Sequence, residues 1–255
     1  MSQFQNQVVL ITGASGGLGR EAAKQFAAAG AKLALSDINE TLLKELAEEL
    51  QAQGSEVFYQ SCDVTSESQV EDFVSQTVAS FGKLDVAINN AGLDPEGTPL
   101  IDMPLEDFER MMNINVRGVF LGMKHQVKAM LKQQSGAILN VSSIAGLNGF
   151  AAGSAYTASK HAVIGMSKSA AVEYGRFNIR VNAICPGVTE TNMFDRALEG
   201  VKDRDTAIKR IGADTCLKRH AQPEEIVRGM LFACDPANTY MTGHPLLMDG
   251  GFSAM

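Results

Sequence analysis

Short runs of β-branched and other apolar residues alternate along this chain with longer stretches whose apolar positions recur every three or four residues. Val8 to Ile11, Lys32 to Ser36, Val57 to Ser61, Leu84 to Asn89, Ala137 to Ser142, Arg180 to Cys185 and Pro245 to Met248 read as seven strands. Leu18 to Ala29, Glu40 to Gln51, Ser66 to Ser80, Leu105 to Gln133, Ser154 to Arg176 and Pro223 to Cys234 read as helices. In the second of these, Leu43, Leu46, Ala47 and Leu50 fall at helical spacing, and the third begins after Thr65, a candidate cap, and stops before Gly82. Strands alternating with crossover-length helices predict an α/β fold, a parallel sheet with helices on both faces. No linker, repeat or low-complexity tract divides the chain, so residues 1–255 are expected to form a single domain. Thr189 to Gln222 is the one long polar interruption, and a segment of that length in a compact domain is expected to be a lid or binding loop.

Composition narrows the function classes. With 22 Lys plus Arg against 29 Asp plus Glu, the net charge is −7, which excludes an electrostatic nucleic-acid binder. Cys62, Cys185, Cys216 and Cys234 lie too far apart to clamp zinc or form a redox dithiol, and His125, His161, His220 and His244 lack ligand spacing, so no metal is expected. The first basic residue is Arg20, and no apolar run is long enough for a signal peptide or membrane span. We therefore expect a soluble, cytoplasmic protein in which Asn39 to Thr41 and Asn140 to Ser142 are chance glycosylation triplets.

Between the first strand and its helix stands Thr12-Gly13-Ala14-Ser15-Gly16-Gly17-Leu18-Gly19. Glycines there permit a sharp turn, close approach of backbone to a pyrophosphate, and tight strand–helix packing, while the helix N-terminus supplies oriented N–H groups. Asp37, at the end of the second strand and 18 residues after Gly19, is placed to accept hydrogen bonds from an adenosine ribose. A carboxylate there repels a 2′-phosphate, and Gly16 and Ile38 offer no cation to neutralise one, so the cofactor expected is NAD. Asp63 and Val64, after the third strand, could meet the adenine, although Asp63 also fits a capping role.

Asn89-Asn90-Ala91-Gly92 follows the fourth strand, Ser143 the fifth and Pro186-Gly187 the sixth. Tyr156-Thr157-Ala158-Ser159-Lys160 lies on a helix, and Asp249-Gly250-Gly251 near the end. Together with the glycine turn, this ordered set resembles the short-chain dehydrogenase/reductase family over essentially the whole chain. The resemblance implies a Rossmann-like doubly wound sheet of seven parallel strands. It also implies that Tyr156 is the general acid/base, that Lys160 binds the nicotinamide ribose and tunes Tyr156, that Ser143 orients substrate, and that Asn115 holds a proton-relay water. Cofactor contacts implied in the same way are Gly13, Ser15, Gly17, Leu18 and Gly19 at the pyrophosphate, Asp37 at the ribose, Asp63 and Val64 at adenine, and Asn90 and Gly92 at the second ribose. Tyr156, Lys160, Pro186, Gly187, Val188 and Thr191 complete the nicotinamide end.

The residues support this chemistry in their own right. Tyr156 and Lys160 are one helical turn apart and share a face. A tyrosine with a pKa of about 10 is a poor base, and lowering it by about 3 units requires about 4 kcal/mol, within reach of a nearby ammonium and a cationic ring. Ser142 competes with Ser143, and Asn113 with Asn115, for the roles given above. Leu147, Phe150, Ala151 and Ala152 surround Tyr156 in sequence without fixed charge, and Met193, Phe194, Leu198, Val201 and Ile211 make the lid amphipathic, which suits a mostly apolar ligand. A cyclic or steroid-like secondary alcohol is the substrate class expected. The alternatives are a 3-oxoacyl-carrier-protein reductase, to which Val172 is unfavourable because similar reductases carry Arg there although Lys128 and Lys132 leave some basic surface, and a non-catalytic dinucleotide sensor. Small residues Ser159, Ala162, Gly165 and Ser169 permit close helix packing, and the resemblance implies a homotetramer.

Overall fold

In the computed structural model, residues 3–191, 194, 203, 206, 208 and 212–255 are described. Seven strands form one parallel sheet: β1 (Val8–Thr12), β2 (Lys32–Asp37), β3 (Val57–Ser61), β4 (Val86–Asn89), β5 (Gly136–Val141), β6 (Ile179–Pro186) and β7 (Pro245–Met248). Their order is β3-β2-β1-β4-β5-β6-β7, with Val9 opposite both Leu33 and Val86. The chain runs outward from β1 in one direction and from β4 in the other. The ends of β1 and β4 therefore diverge into a crevice, the place where open α/β sheets bind ligands.

Successive residues of β1 point to opposite faces, and both faces are covered. Val9 and Ile11 join Leu33, Leu35 and Val86 under α1 (Gly17–Ala28), α2 (Glu40–Ala52) and α7 (Pro223–Cys234), with Phe26, Leu43, Leu46, Leu50 and Met230 as their partners. Leu10, Ala34, Ala87, Ile138 and Val181 face Phe73 and Val74 of α3 (Glu67–Phe81), Val119 and Met130 of α5 (Gly118–Gln133) and Val163 of α6 (Ser154–Tyr174). Burying each large apolar side chain contributes roughly 1.5–3 kcal/mol, so the sheet is a rigid platform for whatever its edge presents.

Several expected boundaries shift by a residue or two. Asn39 caps α2 by accepting from the Leu42 N–H at 3.1 Å. The cap of α3 is Ser66 rather than Thr65, because Thr65 is turned back onto Asp63, and Gly82 closes that helix at φ +80°. Leu105 to Gln133 is not one regular helix. It is α4 (Leu105–Met112), a π turn (Asn113–Arg117) and α5, the π turn falling where the poor helix former Asn115 predicts a kink.

Of the expected lid, Met193, Leu198, Val201 and Ile211 lie outside the described residues. Its two ends meet: Thr189 bridges Ala221, the Glu190 N–H donates to Ala221 O at 2.9 Å, and the Ala221 N–H donates to Val188 O at 2.9 Å. Phe194 is buried against the His220 ring. Among the described residues no helix is long and apolar enough to cross a membrane.

Candidate active site

The glycine turn is built by exclusion. Gly13 sits at φ +64°, and a Cβ there would come within 2.7 Å of Ala91 Cα. A Cβ on Gly19 would collide with the Gly13 carbonyl oxygen and stand 2.6 Å from Asn90 Nδ2. Without those side chains the turn after β1 and the loop after β4 close on each other. The Thr12 hydroxyl accepts from the Asn90 and Ala91 N–H groups at 3.1 and 3.2 Å, and Asn90 Nδ2 donates to Thr12 O at 3.2 Å and Gly13 O at 2.9 Å. Helix α1 starts beyond Gly16, with no side-chain cap and no acid in its first turn, which leaves its N-terminal N–H groups for an anion. Thr191 lies near Gly17, its Cβ 3.7 Å from where a side chain there would begin. A cradle of this shape, at the crevice between β1 and β4, fits the pyrophosphate of a dinucleotide.

Asp37 closes the next corner. Its Oδ2 accepts the Ser15 N–H at 3.0 Å and its Oδ1 the Asn39 N–H at 3.0 Å, so the carboxylate links the glycine turn to the start of α2. Its neighbour Ile38 is 74% exposed and brings no cation. Asp63 is turned onto its own loop rather than capping α3: its Oδ1 accepts the Thr65 N–H and hydroxyl at 2.9 and 2.8 Å. Val64 packs over Gly118, where a Cβ would approach it to 2.8 Å, and Leu18 leans on the core beneath α1. After β6, which Pro186 ends, the Gly187 N–H donates to Met248 O at 2.8 Å, and the chain passes half-exposed Val188 to reach Thr191 beside the glycine turn.

At the ends of β5 and β6, α6 brings Tyr156 and Lys160 together, the Lys160 ammonium 5.4 Å from the Tyr156 ring centre. Both are buried, and Lys160 Nζ donates to Val141 O at 3.0 Å. A position for Gly92 Cβ lies 3.7 Å from Lys160 Nζ and 3.2 Å from Asn115 Oδ1, so the loop after β4 reaches the same spot. Burial pushes the Tyr156 phenol up to about 12; a hydrogen bond with Ser143 opposes that rise, and the charge of Asp94 adds to it. Burial likewise brings the Lys160 amine down to about 8. The lowering expected from Lys160 together with a docked cationic ring is thus opposed in the chain by burial, and Asp94 brings a charge that Leu147, Phe150, Ala151 and Ala152 do not.

Hydrogen bonding and burial distinguish the two members of each neighbouring pair. Ser142 is buried with its hydroxyl donating to Lys160 O at 2.9 Å, whereas Ser143 faces the phenol and accepts the Ala145 N–H at 3.1 Å. Asn113 accepts from Arg117 at the surface, whereas Asn115 is buried, accepts the Leu93 N–H at 2.8 Å and donates to Ser159 Oγ at 3.2 Å. Ser159 is thereby drawn inward, off the exposed line that holds Gly165 and Ser169. Sequence reasoning missed Asp94 and Glu96, which lie on a loop without a recognisable motif.

Residues 13–253 match the family model described as Enoyl-(Acyl carrier protein) reductase. The chain is 37% identical, over 100% of both proteins, to the 2,5-dichloro-2,5-cyclohexadiene-1,4-diol dehydrogenase of Sphingobium indicum. The chain belongs to the short-chain dehydrogenase/reductase family. Another member is the 3-oxoacyl-[acyl-carrier-protein] reductase FabG of Thermotoga maritima, 37% identical over 98% of each protein. Levodione reductase, a solved member, superposes with a TM-score of 0.95 at 36% identity, covering 98% of this chain and 99% of that one. Family members solved with cofactor differ in which they hold: an NAD+-bound xylitol dehydrogenase (TM-score 0.93, 34% identity, 97% and 99% covered) and ElxO with NADP (0.90, 31%, 98% and 99%). The chain is thus an oxidoreductase of this family, whose members act on alcohol- and ketone-type substrates with a nicotinamide dinucleotide.

Proposed function

We propose that this short-chain dehydrogenase/reductase uses NAD to interconvert a cyclic secondary alcohol and its ketone, with Tyr156 as general acid/base. The observation that carries the reading is the convergence of Ser143, Tyr156 and Lys160 on the crevice whose opposite wall is the glycine turn closed by Asp37. When bound, the dinucleotide supplies the hydride acceptor or donor and a positive ring charge. Tyr156 Oη takes the alcohol proton, and Ser143 Oγ, beside it, holds the substrate oxygen. Lys160 binds ribose hydroxyls and keeps its ammonium by the phenol. Asn115, fixed on the π turn, holds the water through which the proton leaves. The cyclic class is supported by the Sphingobium relative, whose name describes a six-membered ring with two hydroxyls, and by the uncharged Leu147 and Phe150.

Asp37 supports NAD. A 2′-phosphate beside it would set like charges together at a cost of about 1–4 kcal/mol at 4 Å, depending on solvent exposure. The similarity to FabG raises a carrier-protein substrate, but an acidic carrier would meet a chain of net charge −7 with Val172 86% exposed where a docking cation is wanted. We further propose a cytoplasmic, single-domain homotetramer in which the segment 189–222 covers the substrate.

The test is a panel of cyclic secondary alcohols and of acyl-carrier thioesters, each assayed with NAD and NADP. Turnover of the alcohols with NAD preferred at least about tenfold is expected. Equal use of NADP, or selective turnover of the thioesters, overturns the reading.

A further inference from the structure

We propose that Glu96 is a positioning residue for Tyr156, its carboxylate fixing the first turn of α6 and so the place where the phenol meets Ser143. The inference deepens the reading of Tyr156 as the acid/base and rests on it. Helix α6 begins without local help: its N-cap is Gly153, which has no side chain, and its first turn holds no acid. The N–H groups of a first turn have no partners within the helix and need acceptors from elsewhere. Here two of them are met by one side chain from a loop about sixty residues earlier. Glu96 Oε1 accepts the Ala155 N–H at 2.8 Å and Oε2 accepts the Tyr156 N–H at 3.2 Å.

The same loop is anchored on either side of Glu96. Leu93 donates its N–H to Asn115 Oδ1, and Thr98 bridges Gly153. The other end of the Tyr156 peptide is held from the same quarter: Tyr156 O accepts the Ser159 hydroxyl at 2.7 Å, and Ser159 Oγ accepts from Asn115 Nδ2 at 3.2 Å. The residue bearing the phenol is thus gripped at its N–H by Glu96 and at its carbonyl through Asn115.

A Ser or Thr cap would tie α6 only to the chain just before it. Glu96 ties it to the loop after β4, which carries Asn90 at the glycine turn and Gly92 beside Lys160. The wall of the dinucleotide crevice and the helix of the acid/base are therefore joined directly through Glu96. Positioning of this kind shows in rate, because a misplacement of about 1 Å can cost about a hundredfold in turnover while binding is retained.

The experiment compares Glu96→Ala, Glu96→Gln and Glu96→Asp with wild type, measuring kcat, KM, NAD affinity, the pH dependence of kcat, and backbone amide exchange by mass spectrometry. Glu96→Ala is expected to lose at least about tenfold in kcat, with KM and NAD affinity within about twofold and a displaced pH profile. Glu96→Gln, with one acceptor oxygen in place of two, is expected to lose less, and Glu96→Asp to restore part of the rate. Exchange in the segment 154–158 should quicken in the Ala variant while the sheet stays protected. Wild-type kcat and pH profile in Glu96→Ala, or a kcat that falls only in proportion to NAD affinity or folded fraction, overturns the proposal, as does unchanged exchange at 154–158. The exchange measurement needs no substrate, so it judges the Glu96 contact even if the wild-type protein turns over no secondary alcohol, a result that would instead sink the reading of Tyr156.

Discussion

Tyr156 begins as a reluctant acid, because burial and the Asp94 charge hold its proton and only the Ser143 hydrogen bond works the other way. An oxygen so placed becomes useful when positive charge arrives beside it, which is the part Lys160 and the docked ring are proposed to play. Tyr156→Phe is expected to lower kcat by about 10²–10⁴-fold, the ordinary worth of a general acid/base, while calorimetry finds NAD affinity within about twofold of wild type. Retained turnover would remove Tyr156 from the mechanism. Asp37→Ala should weaken NAD and improve NADP, narrowing the ratio of their kcat/KM values by about tenfold or more, since a ribose acceptor and a repelling charge are lost together. The sequence made Tyr156, Lys160 and Asp37 legible because each stands in a patterned context. The family pattern names Ser143 and Asn115 ahead of Ser142 and Asn113; burial and partners add that Ser142 is tied to Lys160 O and Asn113 to Arg117 at the surface.

At the scale of elements, the turn, the π segment and α6 set the geometry, and their legibility differs. The glycine turn is readable from spacing because its requirement is steric and local. Gly19→Ala tests it: the added methyl meets the Gly13 carbonyl, so a loss of about 1–3 kcal/mol in chemical denaturation is expected, with NAD affinity falling further than that strain alone would give. Wild-type stability and affinity would show that the turn has room. The break in Leu105 to Gln133 was legible as a poor helix former in mid-helix, but its form was not, because a π turn depends on what Asn115 finds on Leu93 and Ser159. The cap of α6 was not legible at all, for its acceptor stands on a loop whose contact with the helix exists only after the sheet has brought β4 and β5 together.

For the whole molecule, alternating apolar runs and amphipathic helices made the parallel sheet legible, whereas β4 starting at Val86 rather than Leu84 and β5 ending at Val141 rather than Ser142 reflect strand ends fixed by tertiary partners. Burial also gives the fold a definite response to alkali. Cys62 and Cys185 are pushed up to about 11, and Cys234 and Tyr156 to about 12. Each folded value exceeds the unfolded one, so the stability these groups contribute is complete below about pH 8.5 and is lost as pH climbs through the folded values. Lys160 acts oppositely, since its folded value of about 8 lies below the unfolded one and its charge is penalised most at neutral pH. Denaturation midpoints should therefore fall above about pH 9, by on the order of 1–3 kcal/mol for each buried thiol. Lys160→Met should be more stable than wild type at pH 7, with the difference shrinking between about pH 8 and 10.5. A flat profile to pH 11 would contradict the burial of these thiols.

The pairing of Thr189 with Ala221 has a consequence for how such a protein can change. A stretch of some thirty residues departs from the sheet's rim and comes home to almost the same point, secured by two backbone hydrogen bonds that do not depend on side-chain identity. Chain between two posts so close together can be lengthened, shortened or rewritten for about 0.6 kcal/mol per doubling. Insertion or exchange there leaves the contacts of the sheet and of α6 as they are.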